Sequence, residues 1–160
     1  MSNVLIVFGS TSGNTAYLSK FVQSGLEKAG HTVVRKNVKE AQIEELSSYD
    51  LIVLGSSTWD GQKIDGVTDM KEQNRNVQGR LQIDMRPFVE AFSHLNLDQK
   101  PVAIFGVGHY SYTYTCNAAN LLEDAVKQAN GKLVVDTFRV TDVADLSADA
   151  IELWAKDIQF

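Results

Sequence analysis

The sequence predicts an α/β fold, a doubly wound five-stranded parallel sheet in the order 2-1-3-4-5 with helices on both faces. Three observations carry that prediction. Short, continuous apolar runs recur along the chain, as expected for central strands covered on both faces. Each run is followed by a segment with helical spacing, giving a βα repeat, hence parallel strands joined by crossovers. Finally, five strands in 160 residues suit the 2-1-3-4-5 order better than the six-stranded alternative.

The elements follow in order. Val4 to Phe8 is a buried strand. Ala16, Leu18, Phe21, Val22, Leu26 and Ala29 then recur at helical spacing, and Gly30 closes the helix. Thr32 to Val38 is more polar and fits a sheet edge, and Ile43 and Leu46 mark a short helical turn. Leu51 to Leu54 is a second buried strand. Residues 60–84 have mixed charge and little periodicity. Met85 to Leu95 reads as a helix with Pro87 tolerated near its first turn, and Val102 to Val107 as another buried strand. Ala118 to Ala129 is helical and capped by Gly131, Lys132 to Val140 alternates as a strand, and Ser147 is placed to cap a last helix carrying Ile151, Trp154 and Ile158. Residues 1–160 are expected to form a single domain.

Composition narrows the classes of function. Hydrophobic residues make up 44% and charged residues 22%, ordinary values for a globular chain. The apolar runs are too short to span a bilayer, and the N-terminus lacks the pattern of a secretory signal. A single cysteine, Cys116, forbids an internal disulfide and fits a reducing compartment, so a cytoplasmic location is expected. The formal charge of −5 argues against nucleic-acid and anionic-membrane surfaces.

In the predicted order the first, third and fourth strands are neighbours, and ligands bind beyond their carboxyl ends. The chain continues there as GSTSGNT (Gly9 to Thr15), GSSTWDG (Gly55 to Gly61) and GVGHYSYTYTCNA (Gly106 to Ala118). All three begin with glycine, and none contains lysine or arginine. The first opens a helix, whose free N–H groups and dipole attract an anion. Ser10, Thr11, Ser12 and Thr15 add hydroxyls, Asn14 an amide, and Gly13 close backbone approach. By itself this loop could also be an ordinary Ser/Thr-rich helix cap, the less favoured of the two readings. It is neither a nucleoside-triphosphate loop, for want of Gly-Lys-Ser/Thr, nor a dinucleotide fingerprint. A phosphorylated receiver domain would need an acidic cluster that the first strand does not supply. Trp59 and one of Tyr110, Tyr112 and Tyr114 would flank the same crevice and could sandwich a flat heterocycle. One phosphate and one flat ring describe flavin mononucleotide (FMN).

On these residues the chain resembles the flavodoxins, small FMN-dependent electron carriers, over nearly its whole length. Ser10, Ser12, Gly13 and Thr15 match the family's Thr/Ser-x-Thr/Ser-Gly-x-Thr phosphate loop, with Thr11 and Asn14 between them. SSTW, Ser56 to Trp59, is similar to the segment bearing the inner stacking aromatic. The tyrosine loop is similar to Gly-x-Gly-Asp-x-x-Tyr, which makes Tyr112 the outer stacker and leaves Tyr110 and Tyr114 to packing or the surface. The resemblance implies further cofactor contacts at Ser57, Thr58, Asp60 and Gly61, and at Val107, Gly108, His109 and Cys116. Lys132 to Val140 shows no long interruption, which by the same resemblance implies the short-chain type. It further implies a monomer that shuttles between semiquinone and hydroquinone at low potential, with no catalytic side chain. Redox proteins would dock transiently near the flavin edge.

Three departures stand out. His109 occupies the place of the family's aspartate and should ease formation of the anionic reduced flavin when protonated. Asp60 follows the tryptophan where, in the family, a peptide rotates on flavin reduction and glycine eases the rotation, so Asp60 should make it dearer by ~1 kcal/mol unless Gly61 takes it over. Residues 60–84 are longer than usual. Two other functions share such a fold: an FMN-dependent NAD(P)H or quinone reductase, and a flavin-bearing regulatory module for a radical enzyme. A reductase needs room for hydride transfer, which two covering aromatics would deny.

Overall fold

The computed structural model describes residues 1–59, 79–109, 115–141 and 144–160, without side chains for 144–146. Its strands are β1 (Asn3–Gly9), β2 (Thr32–Asn37), β3 (Leu51–Trp59), β4 (Arg80–Leu81), β5 (Pro101–Val107), β6 (Lys132–Leu133) and β7 (Phe138–Val140). The helices are α1 (Asn14–Lys28), α2 (Met85–Glu90), α3 (Asn117–Gln128) and α4 (Ala144–Lys156). The main sheet runs β2-β1-β3-β5-β6, all parallel, with β7 also pairing with β5. This is the predicted 2-1-3-4-5 order, its last position shared by two short strands.

Alternation of side chains across the sheet explains why the strands are apolar throughout. Leu5, Val7, Ile52, Leu54, Val102 and Ile104 point to one face, where they pack with Met85, Phe88 and Phe92 and with α3 through Leu122 and Val126. Val4, Ile6, Leu51, Val53, Ala103 and Phe105 point to the other, against Leu18, Val22 and Leu26 of α1 and Ile151 and Ala155 of α4. Both faces are sealed, so every residue from Val4 to Phe8 is buried. On the second face α1 and α4 cross so closely that a Cβ on Gly25 would lie 2.2 Å from the Glu152 carbonyl oxygen.

Several boundaries differ from the sequence-based expectation: β3 does not end at Leu54 but continues to Trp59, through residues read as a loop. The segment Lys132 to Val140 is not one strand. Two residues of β5 separate its pairings with Leu133 and Phe138, whereas four residues intervene on the edge side, so residues 134–137 bulge. Trp154 of α4 covers the bulge, its indole N–H donating to the Asp136 carbonyl at 3.0 Å. The helix beginning at Met85 tightens into a 3-10 turn over Ala91–His94. Ser147 does not cap the last helix, which begins at Ala144.

The final part of the aperiodic stretch is ordered by pairing. Residues 80 and 81 add antiparallel to the end of β3, Thr58 opposite Leu81 and Trp59 opposite Arg80. The excursion after Trp59 therefore returns to the strand it left. Residues 60–78 lie outside the described residues.

Candidate functional site

Parallel register brings the three glycine-led loops to one level. Gly9 pairs with Ser56, and Ser56 with Gly106. β1 ends at Gly9 and β5 at Val107, whereas β3 runs on to Trp59, so all three segments leave the sheet at its carboxyl edge, where the winding direction switches.

The first loop keeps its donors available. Gly13 occupies the N-cap position of α1 at φ +101°, a left-handed conformation that suits glycine, and gives no side-chain cap. No acidic residue lies in the first turn. The dipole's positive end and its unsatisfied N–H groups thus face the loop. Ser10 Oγ accepts from the Ala16 N–H at 3.2 Å and holds the loop over the helix. Thr11, Ser12, Gly13 and Asn14 are exposed, whereas Thr15 is 1% exposed. Among the described residues, the buried Thr15 Oγ1 has no hydrogen-bond partner.

A residue outside the three loops organises this one. Gln82, 1% exposed, follows β4 and reaches back to the loop. Its amide Nε2 donates to Thr11 Oγ1 at 3.1 Å and to Asp84 Oδ2 at 2.8 Å, and its main-chain N–H donates to Ser56 Oγ at 3.1 Å. A Cβ at position 9 would stand 2.6 Å from Gln82 Oε1, so any other residue there would have to displace this amide. Sequence reasoning missed Gln82: a glutamine between Leu81 and Ile83 in an aperiodic stretch gives no sign of pointing inward.

The second loop carries the aromatic platform. Trp59 ends β3, half-buried. Arg80 stands directly across the antiparallel pair, which places both side chains on one face. The loops themselves lack cations, yet β4 brings one to the edge of the site, a juxtaposition invisible until the pairing is known. Ser57 Oγ is a second buried hydroxyl without a partner among the described residues. The Thr58 hydroxyl instead faces inward and accepts from the Ala118 N–H at 3.1 Å, tying β3 to the start of α3.

In the third loop, Val107 is buried, and Gly108 is packed so tightly that a Cβ would lie 2.5 Å from the Cys116 nitrogen. His109 is exposed, and its carbonyl accepts from the Thr115 hydroxyl at 3.2 Å. Cys116 is 2% exposed, with its thiol donating to the Val140 carbonyl at 3.0 Å. Burial pushes that thiol above its ordinary pKa, despite the nearby Arg139 charge and hydrogen bonds at Val140 and Gly108. This is a packing cysteine, not an activated one. Asp60, Gly61, Tyr110, Tyr112 and Tyr114 lie outside the described residues.

The buried, unpartnered Thr15 hydroxyl at the N-terminus of α1 fits an anionic ligand, and the Ser57 hydroxyl on β3 is likewise open to a ligand, because leaving such a group unsatisfied costs about 1–3 kcal/mol. With Trp59 on the adjacent loop, the arrangement has the form of a mononucleotide site at the switch point of a doubly wound sheet.

Comparison with known proteins agrees. The profile of the family described as Flavodoxin matches residues 6–154. The flavodoxin of Maridesulfovibrio salexigens is 30% identical over 159 residues, covering 99% of this chain and 97% of that one. The flavodoxin of Nitratidesulfovibrio vulgaris is 30% identical over 156 residues, covering 97% and 95%. Among solved structures, oxidised Flavodoxin 2 of Bacillus cereus superposes with a TM-score of 0.80 at 25% identity, covering 96% and 94%. The chain belongs to the flavodoxin family, whose members are FMN-binding electron carriers rather than enzymes. No helix among the described residues is long and apolar enough to cross a membrane.

Proposed function

We propose that residues 1–160 act as one domain that holds FMN non-covalently and passes single electrons at low potential between redox proteins in the cytoplasm. The observation that supports this most directly is the buried, unpartnered hydroxyl of Thr15 at the start of α1, beside a loop without competing carboxylates.

When bound, FMN supplies one-electron chemistry at its ring system. The protein's work is binding and electrostatics. The hydroxyls of Ser10, Thr11, Ser12 and Thr15, the Asn14 amide and the N–H groups at the start of α1 would hold the phosphate. Trp59 would lie against the inner face of the ring and exclude water from it. Tyr112 is assigned the outer face by its position in the tyrosine loop, and Ser57 has a hydroxyl available to the ring side. Thr58, Asp60, Gly61, Val107, Gly108 and His109 would contribute through the two loop backbones. Cys116 would act from beneath, by packing against Gly108.

Partners would dock transiently at the exposed rim around the ring, to a protein that remains monomeric. The test is to add NADPH or NADH to the FMN-loaded protein under anaerobic conditions. A carrier keeps its oxidised flavin spectrum until a reductase is supplied. Rapid direct bleaching by the nicotinamide would contradict the proposal.

A further inference from the structure

We propose that Gln82 is a positioning residue that fixes the Thr11 hydroxyl as a hydrogen-bond donor toward the phosphate of the bound mononucleotide. This inference rests on the FMN reading above. It follows from the direction of each hydrogen bond around one buried amide.

Gln82 Oε1 is met by two main-chain N–H groups, from Asp84 at 2.9 Å and Met85 at 3.1 Å. Both are donors, so only the carbonyl oxygen of the amide can sit there. That choice settles the other end. The NH2 group must face Thr11 and Asp84, and its two hydrogens go to Thr11 Oγ1 at 3.1 Å and Asp84 Oδ2 at 2.8 Å. Thr11 Oγ1 therefore accepts from Gln82, and its own hydrogen has to point elsewhere. Thr11 is exposed on the loop that opens α1, so that hydrogen is available to an anion bound at the loop. A hydroxyl is ordinarily indifferent, able to accept or donate by rotation. Here a backbone turn two to three residues beyond Gln82 dictates that it donates.

The arrangement is built to hold. Gln82 is 1% exposed, its main chain is tied to Ser56 of β3, and its main-chain carbonyl accepts from the Arg86 N–H at 3.2 Å and shares the Met85 N–H with Oε1, at 3.0 Å. Asp84 is further held by Lys39, whose Nζ lies 3.5 Å from Oδ2. This carboxylate thereby meets the amide and a lysine, not the phosphate loop. The pairing of β4 with β3 also makes the orientation of Thr11 depend on the return of the chain after the excursion at 60–78.

The experiment compares FMN with riboflavin, which carries the same ring and no phosphate, by titrating the apoprotein and following quenching of flavin fluorescence. In wild type FMN binds more tightly than riboflavin. Gln82→Met should lower FMN affinity about fivefold and Thr11→Val about tenfold, each with riboflavin affinity unchanged, as expected for a hydrogen bond to a charged group. In the Thr11→Val background Gln82→Met should cost nothing more. Equal weakening of both flavins by Gln82→Met, or the same selective loss in the Thr11→Val background, would overturn the proposal. Should Gln82→Met not fold, Thr11→Val and Gln82→Glu decide. Both oxygens of the Glu carboxylate accept, turning the Thr11 hydrogen inward, so Gln82→Glu must lose more FMN selectivity with Thr11 present than in the Thr11→Val background. Unchanged selectivity in Gln82→Glu, or in Thr11→Val, would sink the idea. A wild-type protein with no preference for FMN would instead count against the FMN reading itself.

Discussion

Cys116 shows how a residue near a redox site can be structural. Its thiol is enclosed and donates to Val140, and burial raises its pKa above the unfolded value of about 8.5. The sign follows. The folded state favours the protonated thiol, so the contribution to stability is complete below the unfolded pKa and is lost as pH rises through the folded one. Replacing Cys116 by Ala should cost about 1 kcal/mol at pH 7. The gap between the two denaturant midpoints should shrink steadily above about pH 8.5. A gap that widens with pH would mean that the thiol ionises more readily in the folded protein. At the same scale, the sequence proposes Thr15 and Ser57 as ligands, and among the described residues neither hydroxyl has a hydrogen-bond partner. Arg80 and Gln82 escaped notice because each acquires its place from strand pairing, not from local pattern.

Among the elements, the central strands were the most legible, since apolar runs without alternation have few explanations other than a sheet covered twice. The edge was less so. Lys132 to Val140 alternates convincingly, but alternation does not report whether a strand keeps register with its neighbour, and residues 134–137 lose it. Ser147 is a good cap by residue type, yet the helix had already begun at Ala144. Thr58 illustrates a tie between elements that spacing cannot reveal. Its hydroxyl accepts from Ala118 at the start of α3, and both residues are buried. Thr58→Val keeps the shape and strands that N–H, so it should destabilise the protein by about 1–3 kcal/mol. Thermal unfolding of the apoprotein measures this directly, and an unchanged midpoint would show that the N–H finds another acceptor.

At the scale of the molecule, the sequence revealed the architecture and the chemistry of the ligand more readily than the protein's electrostatics. Loop composition is local and readable: three glycine-led loops without cations converge as the strand order demands. Charge around a site is a property of the assembled fold, and β4 places Arg80 beside Trp59 although no lysine or arginine occurs in the loops themselves. As a one-electron carrier this scaffold should nevertheless separate the two one-electron steps of a bound flavin. Potentiometric titration of the FMN-loaded protein, followed by its absorption spectrum, tests that separation. Two resolved one-electron waves are predicted, the second well below the two-electron potential of free FMN, with a distinct one-electron-reduced spectrum accumulating between them. A single two-electron wave without that spectrum would contradict the account.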